Sequence, residues 1–256
     1  MNFAVTTHTI IKNEDQWIWY AINSLINDID HMFIYDTGST DSTLKILQHF
    51  SGHPKITIQQ LPATTRKALV SLRQQQLQNT NTPWFMILDG DEIWPQSNLH
   101  QLFTAARIAS QRTLGFYTRT RNCVGDIYHY LPESKGRYSI KGTTGHLNIR
   151  LIRNHPKLKI VGEYPLETYT INGSAIQDIQ SRIQFVDTWY LHTTHLRRST
   201  QPAAETKVID RLKKRKFRLG LSMPKAQLPK VFWQPRPDIV PSPITNRWAE
   251  LWRNLI

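Results

Sequence analysis

The chain has 256 residues, a formal net charge of +13 and 39% hydrophobic residues, enough for one large domain or one domain with an extension. No apolar run approaches the roughly 18 residues that a membrane-spanning helix needs, and residues 1–15 lack the pattern of a secretory signal. The single cysteine, Cys123, excludes an internal disulfide framework. We therefore expect a cytoplasmic protein whose positive charge faces an anionic partner.

The first part of the chain alternates strand patterns with helix patterns at short spacing. Runs of β-branched and apolar residues predict strands at residues 3–11, 32–35, 55–60 and 84–88. Apolar spacing and capping residues predict helices that begin near Asn13, at Asp41 or Ser42, and at Thr65. This alternation is typical of an α/β fold with a mostly parallel sheet covered by helices.

Two acidic loops follow strands of this predicted sheet. Asp36 opens the segment DTGSTD, and Asp89, Asp91 and Glu92 lie in the segment DGDE. Ligands of parallel α/β sheets bind beyond the carboxyl ends of the strands, so both loops are expected on one rim. Asp89 and Asp91 are spaced to hold a hard divalent cation, with Gly90 allowing a tight turn between them. The alternative is a loop whose carboxylates cap the next helix and pair with lysines.

The second part of the chain has shorter β-like runs at residues 113–121, 146–153 and 182–192, which predict a mixed sheet with long loops. A basic segment at residues 211–218 and a proline-containing tail follow, so we divide the chain into a domain of residues 1–199 and an extension of residues 200–256. The basic segment suits peripheral contact with an anionic membrane, and a solvated basic helix is the alternative. No recognisable nucleic-acid-binding motif is present, so no nucleic acid partner is expected.

Three segments carry a family resemblance. In chain order, IIKNEDQWIWYAINSL, HMFIYDTGSTDSTLKIL and WFMILDGDEIWP resemble the N-terminal half of family 2 glycosyltransferases with the GT-A fold, over residues 3–110. The resemblance implies a GT-A (Rossmann-like) mostly parallel mixed sheet flanked by helices, to which this chain adds a C-terminal basic helical extension. It also implies a nucleotide-sugar donor, first of all a UDP-sugar, bound with Mn²⁺ or Mg²⁺. Implied acceptors are glycans or lipid-linked molecules.

The resemblance also implies roles for single residues. By position, Asp36 is expected to contact the nucleotide base, Asp89 the ribose or the metal, and Asp91 the metal that bridges the diphosphate. Arg73, in SLRQQQL, resembles the arginine of the family's ARN segment and is expected close to the nucleotide. The sequence departs from that segment at Gln74, where the family has asparagine.

A later segment, RLIRNHPKLKIVGEYPLETY, resembles the family's segment that carries an acidic residue after an arginine-rich strand. This chain lacks the histidine of that pattern. In an inverting transfer a carboxylate takes the proton from the acceptor hydroxyl, and Glu167 is our first candidate with Glu163 second. For each of them the alternative is a surface glutamate.

The segment WYLHTTHLRRS resembles the family's late histidine segment. His192 is expected to complete the metal shell or to touch the diphosphate, and Arg197 and Arg198 are expected to neutralise phosphate oxygens. A strand-end histidine bonded to the backbone is the alternative. No cysteine or second histidine pair completes a four-ligand set, which argues against structural zinc.

Two rival functions stay open beside a metal-dependent, inverting glycosyltransferase. A nucleotidyltransferase also pairs an aspartate-rich metal site with an α/β sheet, but the glycine-rich phosphate loop that it usually requires is missing from residues 4–14. The other rival is a catalytically inactive protein that binds sugar or nucleic acid. The presence of Asp36, Asp89 and Asp91 argues against it.

Overall fold

The structure, a computed structural model, describes residues 3–202, 204 and 220–244. Within these residues the strands are β1 (Val5–Ile11), β2 (His31–Asp36), β3 (Ile56–Gln60), β4 (Trp84–Ile87), β5 (Glu92–Ile93), β6 (Gly115–Val124), β7 (Asp126–Tyr130), β8 (Tyr138–Ile140), β9 (Thr143–Gly145), β10 (Leu147–Arg153), β11 (Leu158–Val161), β12 (Thr168–Ile171), β13 (Ser174–Ala175), β14 (Ile183–His192) and β15 (Leu221–Ser222). The α-helices are α1 (Ile18–Asn23), α2 (Thr43–Gln48), α3 (Arg66–Gln78) and α4 (Gln96–Arg107). Short 3₁₀ helices cover Glu133–Lys135, Ile176–Asp178, Gln180–Arg182, Lys225–Gln227 and Lys230–Trp233.

The first half of the sheet is parallel. Its strand order is β4-β1-β2-β3, with every neighbouring pair parallel. Ile11 is paired with Asp36 across β1 and β2, so the loops after these strands leave the sheet at the same edge. The α/β fold with a mostly parallel mixed sheet flanked by helices is therefore confirmed.

The second half of the sheet is mixed. Strand β10 runs antiparallel to both β4 and β6 and joins the two halves. Strand β14 runs parallel to β6, and its end pairs antiparallel with β5, where His192 lies opposite Glu92. This pairing brings the last residue of β14 against the acidic segment DGDE, because β5 begins at Glu92.

The strand that ends at the acidic segment lies in the core. Each residue of β4 is buried, as are Leu88 and Trp94 on either side of the DGDE loop. Trp94 stacks on Tyr190 of β14 with ring centroids 4.8 Å apart, which fixes β14 beside this loop. Burial of each large apolar side chain contributes about 1.5–3 kcal/mol, so the loop that follows β4 has a rigid base.

Two helices differ from the sequence prediction. The helix expected near Asn13 begins instead at Ile18, because Asn13 has a φ of 56° and its side-chain oxygen accepts a hydrogen bond from the backbone of Thr40 at 2.7 Å. This bond ties the loop after β1 to the loop after β2. Helix α4 was not predicted, although Leu99, Leu102, Phe103 and Ala106 are buried at helical spacing.

Residues 220–244 pack against the first half of the chain. Phe232 is completely buried with its ring 5.3 Å from that of Tyr20, whose hydroxyl donates to the carbonyl of Pro241 at 2.8 Å. The basic segment at residues 211–218, predicted as a helical extension, lies outside the described residues. None of the helices in the described part of the chain has the length and apolar character that a membrane crossing requires.

Candidate functional site

A cavity of about 700 Å³ lies at the carboxyl edge of the parallel strands. Its lining on the side of the parallel half includes Lys12, Glu14, Thr37, Arg73 and Asp89. The opposite side is contributed by the second half of the chain and includes Tyr138, Asn148, Arg150, Tyr164, Glu167, Tyr169 and Arg198. The two halves of the sheet therefore face each other across this cavity.

Asp91 is completely buried and does not itself line the cavity, but it follows Gly90 and pairs with Arg198, which both do. Its Oδ2 forms an ion pair with Arg198 and lies 3.3 Å from Nε2 of His192. Burial opposes ionisation of Asp91, but the positive charges of Arg198 and His192 outweigh it and hold the pKa of the carboxyl well below its usual range. Its Oδ1 is also buried and has no hydrogen-bond donor among the described residues.

Arg198 connects Asp91 to a second buried carboxylate. Its Nη1 donates to Oε1 of Glu14 at 2.6 Å, and Glu14 is 2% exposed. Burial raises the pKa of Glu14, against the opposing effect of Arg198. A Cβ added to Gly90 would lie 2.8 Å from Cγ of Glu14, so Gly90 provides room for this glutamate. Close approach, and not only the expected tight turn, explains the glycine between the two aspartates.

Asp89 lies at the cavity wall and is neutralised by two other arginines. Its carboxylate is 3.3 Å from Nη2 of Arg150 and 3.8 Å from Nη2 of Arg73. Burial works against the charged form, but Arg150 and Arg73 outweigh it and lower the pKa of Asp89. Arg150 also forms an ion pair with Glu92, whose pKa is raised by burial to about 7 against the attraction of Arg150.

Glu167 also lies in the cavity wall, next to Arg73. Nε of Arg73 donates to Oε1 of Glu167 at 3.1 Å, and the glutamate side chain is 12% exposed. Oε2 of Glu167 is buried and has no hydrogen-bond donor among the residues described. Glu163, by contrast, is exposed and does not line the cavity. Of the two candidate bases, Glu167 is the one that faces the site.

Asp36 and Arg197, two further candidates, form hydrogen bonds with residues two or three positions further along the chain. Asp36 ends β2, and its Oδ1 accepts hydrogen bonds from the backbone of Gly38 at 3.0 Å and Ser39 at 2.9 Å. Nε of Arg197 donates to the carbonyl of Ser199 at 2.6 Å. Neither Asp36 nor Arg197 lines the cavity, so their expected contacts with the donor stay predictions.

Sequence reasoning gave no role to Glu14 or Arg150, which the structure places at the centre of the charge network. Both lie inside segments that carried the family resemblance, Glu14 in IIKNED and Arg150 at the start of RLIRN. Arg150 contacts Asp89 from 61 residues away in the chain, and such a pairing has no local sequence pattern. The sequence signal that could have pointed to Glu14 and Arg150 was their position inside segments that resemble the family.

The oxygen atoms of Asp91 and the ring nitrogen of His192 are possible ligands of a divalent cation. No three acidic, histidine or cysteine side chains in the described ranges converge closely enough to hold an ion together. Oδ1 of Asp91 nevertheless meets the main requirement, because a buried anionic oxygen without a donor is unfavourable unless a cation satisfies it. Asp91 therefore fits a divalent metal, with the neutral form of His192 as a second ligand, in place of the ion pair with Arg198.

Solved structures with a similar fold include one protein in two states. Residues 1–349 of Staphylococcus aureus TarS superpose with a TM-score of 0.50 and 15% identity, over 75% of this chain and 61% of the TarS fragment. The same fragment in complex with UDP-GlcNAc gives a TM-score of 0.50 and 13% identity, over 74% of this chain and 58% of the fragment. This chain thus spans about three fifths of the fragment that it resembles.

No curated protein sequence matches the chain significantly. The family model "Glycosyl transferase family 2" matches residues 7–157, which is more than half of the chain. This match includes both acidic loops and the strand that carries Arg150, and it confirms the resemblance drawn from the three sequence segments. The protein therefore belongs to glycosyl transferase family 2.

Proposed function

We propose that the protein is a metal-dependent, inverting glycosyltransferase that moves a sugar from a nucleotide-sugar donor to a glycan or lipid-linked acceptor. One observation carries this proposal: Asp89 and Glu167 line a single cavity and are linked through Arg73, and Arg198 of the same lining pairs with Asp91. A metal-site carboxylate and a carboxylate suited to accept a proton therefore lie close enough to act on one sugar.

The donor side of the cavity binds the diphosphate. In the proposed enzyme, Asp91 and His192 would hold a divalent metal, Mn²⁺ or Mg²⁺, which would supply Lewis-acid neutralisation of the leaving nucleoside diphosphate. Arg73 and Arg198 line the same cavity and present guanidinium groups that bind phosphate oxygens through charge-assisted hydrogen bonds. Asp36 holds the loop after β2 in shape, because its carboxylate accepts the backbone N–H groups of Gly38 and Ser39.

The acceptor side activates a hydroxyl group. Oε1 of Glu167 is held by Arg73, which leaves Oε2 as the oxygen that takes the acceptor proton. Tyr138 and Tyr164 line the cavity on this side and offer apolar surface to a saccharide. Attack by the hydroxyl on the face of the sugar opposite the diphosphate gives inversion.

A UDP-sugar is the donor that we propose, since the TarS fragment with a similar fold was crystallised with UDP-GlcNAc. For a lipid-linked acceptor we propose peripheral contact between the basic segment, residues 211–218, and the anionic inner face of the cell membrane. Sedimentation with acidic vesicles at low and high salt tests this part. Absence of binding at low salt argues against it.

Calorimetry of UDP binding tests the donor site. Binding is expected in Mn²⁺ and is expected to be lost in chelator and in Asp91→Ala, with Asp187→Ala as the control because that aspartate is 73% exposed. Equal affinity in chelator would exclude the metal-dependent donor site. Binding without hydrolysis or transfer of any UDP-sugar would favour an inactive binding protein.

A further inference from the structure

We propose that Glu14 and Asp91 form a two-carboxylate site for a single cation, and that Arg198 and the divalent metal occupy it in turn. In the structure the guanidinium of Arg198 fills the site. Metal binding releases Arg198 to the cavity, where it binds the diphosphate of the donor. This inference rests on the proposed function and assigns Glu14 as a metal ligand.

The need for a cation follows from burial. Glu14 is 2% exposed and Asp91 is 0% exposed, and two buried carboxylates side by side are unfavourable without a positive partner. Arg198 meets that need, because one guanidinium nitrogen contacts each carboxylate. A small divalent ion can replace it with greater charge density, since carboxylate oxygens are the preferred ligands of Mg²⁺ and Mn²⁺.

Glu14 is a better candidate than Asp89 for the carboxylate that holds the metal together with Asp91, because the two residues differ in how many arginines pair with them. Asp89 is already paired with Arg73 and Arg150, so an ion at Asp89 would have to displace two guanidinium groups. At Glu14 and Asp91 a single arginine links both carboxylates. Movement of this arginine removes one guanidinium contact from each carboxylate at once, and Oδ1 of Asp91 adds an oxygen that has no hydrogen-bond donor among the described residues.

Hydrogen bonds hold the backbone on both sides of Arg198, and its side chain lines the cavity. Its carbonyl accepts a hydrogen bond from Gln16 at 3.1 Å, and Trp17 Nε1 donates to the carbonyl of Arg197 at 2.7 Å. On the other side, the backbone of Thr200 donates to Asp15 at 2.8 Å. The exchange is therefore a rotation of one side chain, and Arg198 already lines the cavity into which it turns.

The first test measures Mn²⁺ affinity without nucleotide, by electron paramagnetic resonance of free Mn²⁺. If Arg198 competes with the metal, Arg198→Ala should bind Mn²⁺ at least about tenfold more tightly than wild type, because the competing occupant is gone. Arg112→Ala removes an exposed arginine outside the cavity lining and should leave the affinity unchanged. Unchanged or weaker affinity in Arg198→Ala overturns the exchange.

The role of Glu14 is tested in the Arg198→Ala background. Adding Glu14→Gln should weaken Mn²⁺ binding at least about tenfold, because a neutral amide replaces a charged ligand. Equal Mn²⁺ affinity in the single and double variants would exclude Glu14 as a ligand. Circular dichroism of each variant shows whether it is folded. Labelling of the wild-type protein provides a test that needs no variant.

In the wild-type protein, phenylglyoxal labelling of Arg198, read by peptide mass spectrometry, reports release of the guanidinium. Mg²⁺ alone should increase labelling, and Mg²⁺ with UDP should then protect Arg198. Labelling that Mg²⁺ leaves unchanged or reduces contradicts the exchange. UDP-sugar hydrolysis that persists in chelator, together with unchanged labelling, would overturn the exchange and leave glycosyl transfer standing. Mg²⁺-induced labelling without UDP protection would support the exchange and argue against the donor site.

Discussion

Three of the carboxylates in and beside the cavity come from the parallel half of the sheet, and two of the arginines that pair with them come from the rest of the chain. The parallel half supplies Glu14, Asp89 and Asp91 from the loops after β1 and β4. From the mixed half and the segment after β14 come Arg150 and Arg198, which pair with these carboxylates. Arg73 of the parallel half reaches Asp89 at 3.8 Å, but the arginine that pairs with both Glu14 and Asp91 comes from the segment after β14. These two buried carboxylates therefore gain that partner only where the two parts of the chain meet.

This difference explains why a buried strand ends in a cluster of like charge. Asp89, Asp91 and Glu92 lie within four consecutive residues, and each contacts a cation from the second half of the chain. Arg198 is 184 residues from Glu14, and Arg150 is 58 residues from Glu92. The acidic cluster is thus a local feature of the sequence, whereas its neutralisation is a property of the fold.

Replacement of Arg150 should break this charge pairing most severely. Arg150→Met leaves Glu92, which is 0% exposed, without its guanidinium partner and should lower the free energy of unfolding by about 3–5 kcal/mol. Urea unfolding followed by circular dichroism measures the change. Arg112→Met, at an exposed arginine, serves as the control, and similar stability of the two variants would show that the buried pair contributes little.

The next variant separates proton transfer from donor binding. Glu167→Gln keeps the shape of the side chain and should reduce transfer by about 10²- to 10⁴-fold, while UDP affinity changes little. Steady-state kinetics and calorimetry provide the two readouts. Glu163→Gln is the matched control, because Glu163 is exposed outside the cavity lining. Loss of transfer in Glu163→Gln, with full activity in Glu167→Gln, would move the base to Glu163.

The strands of the parallel half and the acidic loop that follows β4 could be predicted from the sequence, because each is marked by a pattern within a few consecutive residues. Strand patterns predicted β1, β2, β3 and β4 within two residues at each end, and the DGDE segment marked the acidic rim. The helix expected near Asn13 was displaced because Asn13 bonds to Thr40, a tertiary contact. The partners of the carboxylates could not be predicted, since Arg150 and Arg198 reach them through strand pairings that only the fold creates.

The parallel half also contains a buried basic residue, His8 of β1. This histidine is neutral in the folded protein, whereas Arg150 and Arg198 are charged. His8 is 0% exposed, and burial with a smaller effect of Arg73 lowers its pKa to about 3. Between that value and 6.5 the unfolded chain binds a proton that the folded chain excludes, so stability falls as pH falls through this range.

From pH 7 to pH 4.5, His8 should therefore account for a loss of about 2–3 kcal/mol in the free energy of unfolding. His8→Phe keeps the ring that stacks on Phe85 and should reduce the pH dependence by that amount. Urea unfolding at a series of pH values measures it, with the exposed His49→Phe as the control. The same pH dependence in His8→Phe and wild type would contradict a neutral buried histidine.

The smallest effect concerns a contact inside the parallel half, between the loops after β1 and β4. Gly90→Ala places a methyl group 2.8 Å from Cγ of Glu14 and 3.0 Å from Cγ2 of Ile11, and should lower the free energy of unfolding by about 1–3 kcal/mol. In a double-mutant cycle with Glu14→Ala, the loss of Cγ should relieve part of this clash and give a coupling of at least about 0.5 kcal/mol. Additive effects would mean that Ile11, and not Glu14, requires the glycine.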